Sequence, residues 1–163
     1  MRPRTLAIAL SLLALTGIAL PSEKPMSASA STAERTIWSL EHAYWRFVEH
    51  GDLTDYSNLW DTSFLGWPGD SSAPVRKAHI TDWITTETGK GRNFKMTGFR
   101  PAAIEDAGPV ISVCYWVQGE WLDKDGKRAG GFTSRIIHTW LRTGSRWRII
   151  SGMSMRVPAA AMN

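Results

Sequence analysis

The hydrophobic periodicity of this chain changes once, near residue 92, and that change limits the folds open to it. Before this point apolar residues recur at helical spacing, as in Ile37, Leu40 and Tyr44. After it, apolar and polar residues alternate with a period of two, which is typical of strands. Helices that precede a run of strands favour an α+β architecture. We therefore expect a curved antiparallel sheet that wraps around N-terminal helices into a cone.

Caps and breakers bound three predicted helices. A capping-box pattern begins the first helix after Ser31, and Gly51 is expected to end it. Asp52 then begins a short second helix. Pro74 lies near the start of the third, which residues 89–91 end.

Five strands are predicted, one between the helices and four after them. Asp-Gly and Thr-Gly-Ser turns separate the later strands, so these form a meander. A bend is expected near Gly98 or Pro101. The predicted strands are 64–67, 94–104, 110–122, 132–142 and 147–155.

The first 30 residues have the pattern of a signal peptide. Arg2 and Arg4 precede an apolar run over residues 6–20, and small residues follow at positions 28–30. The run is shorter than the roughly 20 residues that span a bilayer. We predict cleavage of residues 1–30, one domain over residues 31–163, and a periplasmic or secreted location. An uncleaved N-terminal anchor is the alternative.

The basic charge of the chain lies partly in that leader. Three of the 19 basic residues and one of the 15 acidic residues fall within the first 30 positions, so the remainder carries a net charge of +2. Its basic residues are scattered and form no stripe with interleaved aromatics. We therefore expect no nucleic-acid partner, and no membrane partner after signal cleavage.

The cysteine and histidine residues give no metal-binding pattern. Cys114 is the single cysteine, which excludes an internal disulfide and any zinc site built on several cysteines. The four histidines lack the spacing of metal ligands. We expect neither a metal nor a cofactor.

Several short segments carry a resemblance to a known superfamily. In order and spacing they resemble the nuclear transport factor 2-like superfamily, most closely its SnoaL-like and domain-of-unknown-function branches, over residues 34–156. That resemblance implies a cone-shaped α+β fold with an internal pocket, often dimeric. It implies no single function, because the scaffold hosts isomerases, cyclases, hydratases, oligomerisation modules and binding proteins. The segments are LEHAYW (40–45), HGDL (50–53), DTSFLGWP (61–68), TWLR (139–142) and WRII (147–150).

The ketosteroid isomerases of that superfamily provide a test of function. Their chemistry requires a tyrosine on the first helix, a carboxylate base before a proline in the first strand, and an acid on a later strand. Tyr44 matches the tyrosine, but Trp67 occupies the position of the base, and residues 135–137 carry no carboxylate. The resemblance therefore does not extend to the isomerase activity, and the catalytic residues stay unknown.

Six aromatic and histidine residues are candidates for lining the implied pocket. His138 shares a sheet face with Ile136 and Trp140 by alternation, and could bind hydrogen-bonding groups or act as an acid or base. The structural alternative is that the tyrosine and the tryptophans only fill the core and that the histidine is structural. The six candidates are Tyr44, Trp60, Trp67, Tyr115, His138 and Trp140.

Three functions remain open from the sequence. The first is an exported protein that binds a small apolar or aromatic molecule in an aromatic-lined pocket. The second is an isomerase, cyclase or dehydratase that uses Tyr44 as a donor and His138 as a base. The third is a dimerisation or interaction module that uses the open sheet face, and we expect a homodimer. A cavity above about 300 Å³ that brings Tyr44 and His138 together would favour the enzyme.

Overall fold

The computed structural model describes residues 30–69 and 71–158. The predicted signal peptide, apart from its last residue, and the tail after Pro158 lie outside the described residues. Within the described ranges, none of the helices is both long enough and apolar enough to cross a membrane.

Local capping signals set the first two helices where the sequence predicts them. Helix α1 spans Thr32–His50, with Ser31 as its N-cap in a complete capping box. Gly51 ends it in the left-handed region, at φ 69°. Helix α2 spans Leu53–Asn58 and is capped by the Asp52 side chain.

The third helix begins later than predicted. Pro74 precedes a two-residue strand, Val75–Arg76, and a 3-10 turn, Lys77–His79, rather than a helix. The prediction was wrong because Val75 and Arg76 pair with the edge of the first strand, a tertiary contact that local propensity does not report. Helix α3 spans only Asp82–Thr88.

Among the described residues, six strands form one sheet in the order β2-β1-β6-β5-β4-β3. All neighbours are antiparallel except β1 and β6, which are parallel. The predicted α+β arrangement of helices and a curved sheet is confirmed. The strands are β1 Trp60–Trp67, β2 Val75–Arg76, β3 Asn93–Asp106, β4 Val110–Leu122, β5 Arg128–Thr143 and β6 Arg146–Arg156.

Bulges bend β3 at both positions that the sequence suggested. Its register with β4 shifts between Met96 and Gly98 and again between Pro101 and Ala103. Bulges of this kind increase the local twist and curve a sheet. The curved inner face is therefore able to enclose α1.

Helix α1 lies against the inner face of the sheet, where the core forms. In β4, every second residue from Ile111 to Trp121 is buried, which is the period-two pattern of a sheet with one covered face. Hydrogen bonds from α1 to inward side chains of β4 and β5 tie the helix to this face. The outer face carries exposed large apolar side chains, Leu65, Trp67, Ile137, Met153 and Met155.

Candidate functional site

A carboxylate lies on the buried face of α1. Glu41 is placed at helical spacing from Ile37 and Tyr44, and its exposed fraction is 0%. Its Oε1 accepts the indole N–H of Trp140 at 2.7 Å, and both of its oxygens lie 3.0 Å from Nδ1 of His138. A buried carboxylate is tolerated when charge-assisted hydrogen bonds of this kind replace water.

Tyr115 supplies a third partner for the same carboxylate. Its hydroxyl accepts the indole N–H of Trp45 at 3.1 Å and hydrogen-bonds to Glu41. Burial, followed by the charge of Glu41, raises the pKa of Tyr115 well above its usual value. The hydroxyl therefore stays protonated and donates a hydrogen bond to Glu41.

Glu41 fixes the orientation of the His138 ring. Because a carboxylate accepts, Nδ1 of His138 carries its proton toward Glu41 in both the neutral and the charged ring. The other nitrogen, Nε2, has no hydrogen-bond partner among the described residues. Nε2 is therefore the nitrogen that points away from the carboxylate.

Gly152 makes room for that ring. A Cβ at this position would lie 2.7 Å from Cδ2 and 3.5 Å from Nε2 of His138, and 3.1 Å from the backbone oxygen of Ile137. Any larger residue would push the imidazole away from its place beside Glu41. The missing side chain on β6 thus helps to position a side chain on β5.

An inner cavity of about 90 Å³ lies in front of His138. Seven of its 17 wall residues are aromatic, and its polar side chains include the two hydroxyls of Tyr44 and Tyr56 and that of Ser134. The rings of Tyr44 and His138 are 5.3 Å apart between centroids. The cavity therefore brings an imidazole nitrogen and phenolic hydroxyls together among aromatic rings.

The tyrosine hydroxyls at this cavity form their own short network. The hydroxyl of Tyr56 lies 2.9 Å from that of Tyr44 and 3.3 Å from the backbone oxygen of Ile80, and it accepts the Trp83 indole N–H at 3.3 Å. Since Tyr56 has one proton, it donates to one of these oxygens at a time. Donation to Tyr44 leaves the Tyr44 proton free for a bound molecule.

Burial raises the pKa values of Tyr44 and Tyr56 above the usual value for tyrosine. Desolvation is the main cause in both cases, because ionisation would place a charge in the apolar enclosure. Both hydroxyls therefore act as hydrogen-bond donors or acids rather than as bases.

The six candidate residues occupy three different places. Tyr44, Trp60 and His138 line the inner cavity. Tyr115 and Trp140 do not line it; they lie behind the wall and hold Glu41. Trp67 does not line it either: its side chain is 48% exposed on the outer face.

The position of Trp67 follows from strand alternation. Phe64 is buried at 2% exposure, so the residue three positions later points to the opposite face of β1. Its indole N–H donates to the backbone oxygen of Ser71 at 3.0 Å. The side chain at the position of the isomerase base therefore faces away from the cavity.

Three residues of the site were missing from the sequence prediction. Glu41 is a charged residue at a position of α1 where the helical spacing predicts an apolar one, and the sequence alone shows this exception. Tyr56 lies on the buried side of α2, and Trp83 lies on α3. For Tyr56 and Trp83, no local pattern distinguished a cavity wall from ordinary core.

A second cavity of about 580 Å³, the outer groove, opens beside the first. Its walls include the charged side chains of α3 and the backbone of Gly130 and Gly131 on β5. Pro68, Trp83 and Arg156 line both cavities. The guanidinium of Arg156 lies 4.6 Å from the ring centre of Phe132, which is in the wall of the inner cavity.

Within residues 30–69 and 71–158, no three histidine, cysteine, aspartate or glutamate side chains converge as metal ligands.

Comparison with known proteins identifies the fold. No protein-family model matches the sequence, and no curated protein is similar to it. Solved structures do match, at low sequence identity. An NTF2-like protein from Cytophaga hutchinsonii superposes with a TM-score of 0.60 at 16% identity, covering 78% of this chain and 100% of that one.

Two further structures show the range of proteins that share this shape. ActVI-ORFA from Streptomyces coelicolor has a TM-score of 0.64 at 11% identity, covering 77% of this chain and 98% of that one. The association domain of C. elegans CaMKII has a TM-score of 0.57 at 15% identity, covering 76% and 95%. The chain has the nuclear transport factor 2-like fold, as its sequence resemblance implied.

Proposed function

We propose that this chain, a protein of the nuclear transport factor 2-like fold, binds a small apolar or aromatic molecule that carries one hydrogen-bonding group. The observation that supports this is the oriented His138 ring. Glu41 holds its Nδ1, and Nε2 remains without a partner in an aromatic cavity. Trp60, another residue of the cavity wall, has a buried indole N–H without a partner among the described residues. A ligand oxygen that accepts from the Trp60 N–H would offset the cost of that buried donor, and a ligand hydroxyl would donate to Nε2 of His138.

Binding of matched monocyclic probes tests this proposal. We expect phenol and benzaldehyde to bind more tightly than toluene in isothermal titration calorimetry, because phenol can donate to Nε2 of His138 and the benzaldehyde oxygen can accept from Tyr44. The preference for phenol over toluene should shrink by about tenfold in His138→Phe, which keeps a ring but removes Nε2. Absence of saturable binding by all three probes would contradict the proposal.

A second candidate function is proton transfer, with His138 as the base and Tyr44 as the donor. The Glu41–His138 pair supports it, because a carboxylate on Nδ1 directs Nε2 to act as the base, as in other carboxylate–histidine pairs. In such a step Nε2 would take a proton from the carbon next to a carbonyl. Tyr44 would donate a hydrogen bond to the enolate oxygen that forms.

Hydrogen exchange at carbon tests that second candidate. Acetophenone in D₂O should exchange its methyl protons faster with the protein than with buffer, as followed by ¹H NMR. His138→Gln should remove the effect, and Tyr44→Phe should reduce it by about ten- to a hundredfold. An exchange rate equal to that of buffer would leave ligand binding as the function.

We further propose that the chain forms a homodimer through the outer sheet face. Strand register places a row of apolar side chains side by side across four strands, and Trp67, Met153, Ile137 and Cys114 form this row. Four of the five exposed large hydrophobics lie on β1 and β6, next to one another in the sheet. An apolar patch of this kind is typical of an interface between subunits.

Charge supports a second copy as the occupant of this face. On one side of the apolar row, the guanidiniums of Arg100 and Arg135 lie 5.1 and 5.7 Å from the ring centres of Trp116. On the other side lie the hydroxyls of Ser112 and Thr139. A twofold axis along the apolar row would place the arginines of one copy over the hydroxyls of the other and keep like charges apart.

Light scattering during size exclusion tests the dimer. We expect twice the chain mass for the unaltered protein and the chain mass for Ile137→Glu, which places a charge in the apolar row. Thr97→Glu, on the exposed outer edge of β3, is the matched control and should stay dimeric. A monomeric unaltered protein would contradict this assembly.

Export is proposed on the N-terminal sequence alone. The basic, apolar and small-residue segments over positions 1–30 support cleavage there. Mass spectrometry of the full-length chain expressed in a bacterial host should find a periplasmic product that begins at residue 31. A full-length product in the cytoplasm would contradict export.

A further inference from the structure

The inner cavity is too small to hold an aromatic ligand by itself. An apolar cavity of about 150 Å³ is known to bind benzene, and the inner cavity measures only about 90 Å³. The outer groove adds about 580 Å³ and has three wall residues in common with it. A ring that reaches His138 must therefore extend toward the groove.

Trp83 lies between the two spaces. It contributes to both walls, and its indole N–H donates to Tyr56 on the inner side. Its ring meets Trp121, a wall residue of the groove, edge-on at 6.0 Å between centroids. Because α3 is only seven residues long, movement of this helix or rotation of Trp83 would join the two spaces.

The outer groove favours a neutral polar group. Its acidic residues already have hydrogen-bonding partners: Asp82 lies 3.0 Å from His79, and Glu87 forms close ion pairs with Arg92 and Lys90. The guanidinium of Arg156, which also lines the groove, lies over the ring of Phe132. Together with Ser71, Thr86 and the exposed backbone near Gly130, these charged side chains provide many hydrogen-bonding atoms.

We propose that the inner cavity and the outer groove are two compartments of one ligand site, divided by Trp83. The ligand is elongated: an aromatic end with an oxygen lies beside His138, and a neutral tail rich in hydroxyl or amide groups lies in the groove. Trp83 then controls which molecules reach His138. This inference rests on the proposed binding function and specifies its substrate class.

Chemical modification tests, without any ligand, whether Trp83 divides the inner cavity from the outer groove. We call this division the partition. Diethyl pyrocarbonate acylates a free imidazole nitrogen, and the His138 side chain is only 6% exposed and lines the inner cavity. We expect acylation of His138, followed by mass spectrometry, to be about tenfold faster in Trp83→Ala than in the unaltered chain. Exposed His50 serves as the internal reference.

Trp147→Ala is the matched control for the loss of a tryptophan. Trp147 packs against the core but lines neither cavity. The His138 rate should be unchanged in this variant once thermal unfolding shows both variants folded at the reaction temperature. Equal rates in Trp83→Ala and Trp147→Ala would overturn the partition.

Three probes test the ligand class. Phenol represents the aromatic end alone, whereas 4-hydroxyphenyl β-glucoside adds a neutral polyol of the size that the groove accepts. We expect the glucoside to bind the unaltered chain about tenfold more tightly than phenol, as measured by calorimetry. 4-Hydroxyphenyl phosphate, with a charged tail, should gain nothing over phenol.

Filling the groove separates the two compartments. Thr86→Trp places an indole in the groove and should weaken the glucoside about tenfold while leaving phenol unchanged. Thr85→Trp, the adjacent exposed position outside the groove, should change neither. Equal glucoside affinity in the two variants overturns the groove as a compartment.

The acylation and binding experiments also distinguish failure of the two-compartment site from failure of the proposed binding function. If phenol protects His138 from acylation but Trp83→Ala does not speed the reaction, binding stands and the partition fails. If Trp83→Ala speeds acylation but neither phenol nor the glucoside binds, the partition stands, and both the ligand class and the binding function fail.

Discussion

Glu41 and His138 are 97 residues apart in sequence, yet Nδ1 of His138 lies 3.0 Å from each oxygen of the Glu41 carboxylate. The contact joins α1, which lies against the inner face of the sheet, to β5, a central strand. It also selects which imidazole nitrogen faces outward from the pair. Structure and chemistry therefore depend on the same hydrogen bonds.

Removing the carboxylate should destabilise the fold strongly. Glu41→Ala leaves Trp140, Tyr115 and His138 without their shared acceptor in the core. We expect a loss of about 3–5 kcal/mol in the free energy of unfolding, measured by urea denaturation. A loss below 1 kcal/mol, on the order of a surface substitution, would show that these bonds matter little.

Replacing the carboxylate by an amide should change the tautomer of His138. In Glu41→Gln the amide oxygen can still accept from Trp140, but its NH₂ then faces Nδ1 and favours the ring with the proton on Nε2. We expect a smaller loss of about 1–3 kcal/mol and a change in the ¹⁵N shifts of the His138 ring. Unchanged shifts would contradict the assigned orientation.

The hydroxyls of Tyr44 and Tyr115 should differ in role, the first in ligand binding and the second in stability. Tyr44→Phe removes one bond, and Tyr56 retains the backbone oxygen of Ile80, so we expect a loss of about 0.5–1.5 kcal/mol. Tyr115→Phe leaves the Trp45 N–H without an acceptor and should cost about 1–3 kcal/mol.

Tyr44→Phe, the variant expected to lose less stability, should lose more ligand affinity than Tyr115→Phe. Phenol should bind less tightly to Tyr44→Phe, because Tyr44 lines the cavity, and normally to Tyr115→Phe, because Tyr115 does not. Calorimetry with the two purified variants measures this. Equal affinities would assign Tyr44 a purely structural role.

The ends of α1 and β4 were predicted correctly, because they depend on residues close to them in sequence. Ser31 and Gly51 bound α1 through their own hydrogen bonds and backbone angle, and the alternation in β4 gives its two ends without error. The helix start predicted near Pro74 was wrong, because Val75 and Arg76 pair with β1, and no local pattern reports that contact.

The candidate site was predictable in part, at Tyr44 on α1, Trp60 on β1 and His138 on β5. Alternation placed His138 and Trp140 on the inner face, and the same rule applied to Phe64 would have placed Trp67 outside. Glu41 carried the signal of a charge on an apolar stripe, but its partner could not be named. No pattern within one segment reports a hydrogen bond between residues 97 positions apart.

A methyl group at Gly152 should displace the His138 ring. The added Cβ would lie 2.7 Å from Cδ2 of the ring and 3.1 Å from backbone, so neither neighbour can yield without strain. We expect Gly152→Ala to lose about 1–3 kcal/mol of stability and to weaken phenol binding, by urea denaturation and calorimetry.

Gly130→Ala is the matched control for that substitution. It lies on the neighbouring strand β5, and its added Cβ would meet nothing within 4 Å. Its stability should stay within about 0.5 kcal/mol of the unaltered chain. If both alanine variants lose the same stability, the close approach of Gly152 to His138 is not the cause.

Alkaline pH should unfold the protein through its tyrosines. Burial raises the pKa of all three tyrosines, Tyr44, Tyr56 and Tyr115, above the value near 10 that they have in the unfolded chain. As pH rises past 10, the unfolded chain loses these protons first, so the free energy of unfolding falls. This stabilisation is complete below pH 10 and is lost as pH approaches the raised values, at about 1.4 kcal/mol per pH unit for each tyrosine. Urea denaturation between pH 9 and pH 11 measures the slope, which Tyr56→Phe should reduce by about one third. Tyrosinate absorbance that titrates near pH 10 in the folded protein would show instead that these hydroxyls reach water.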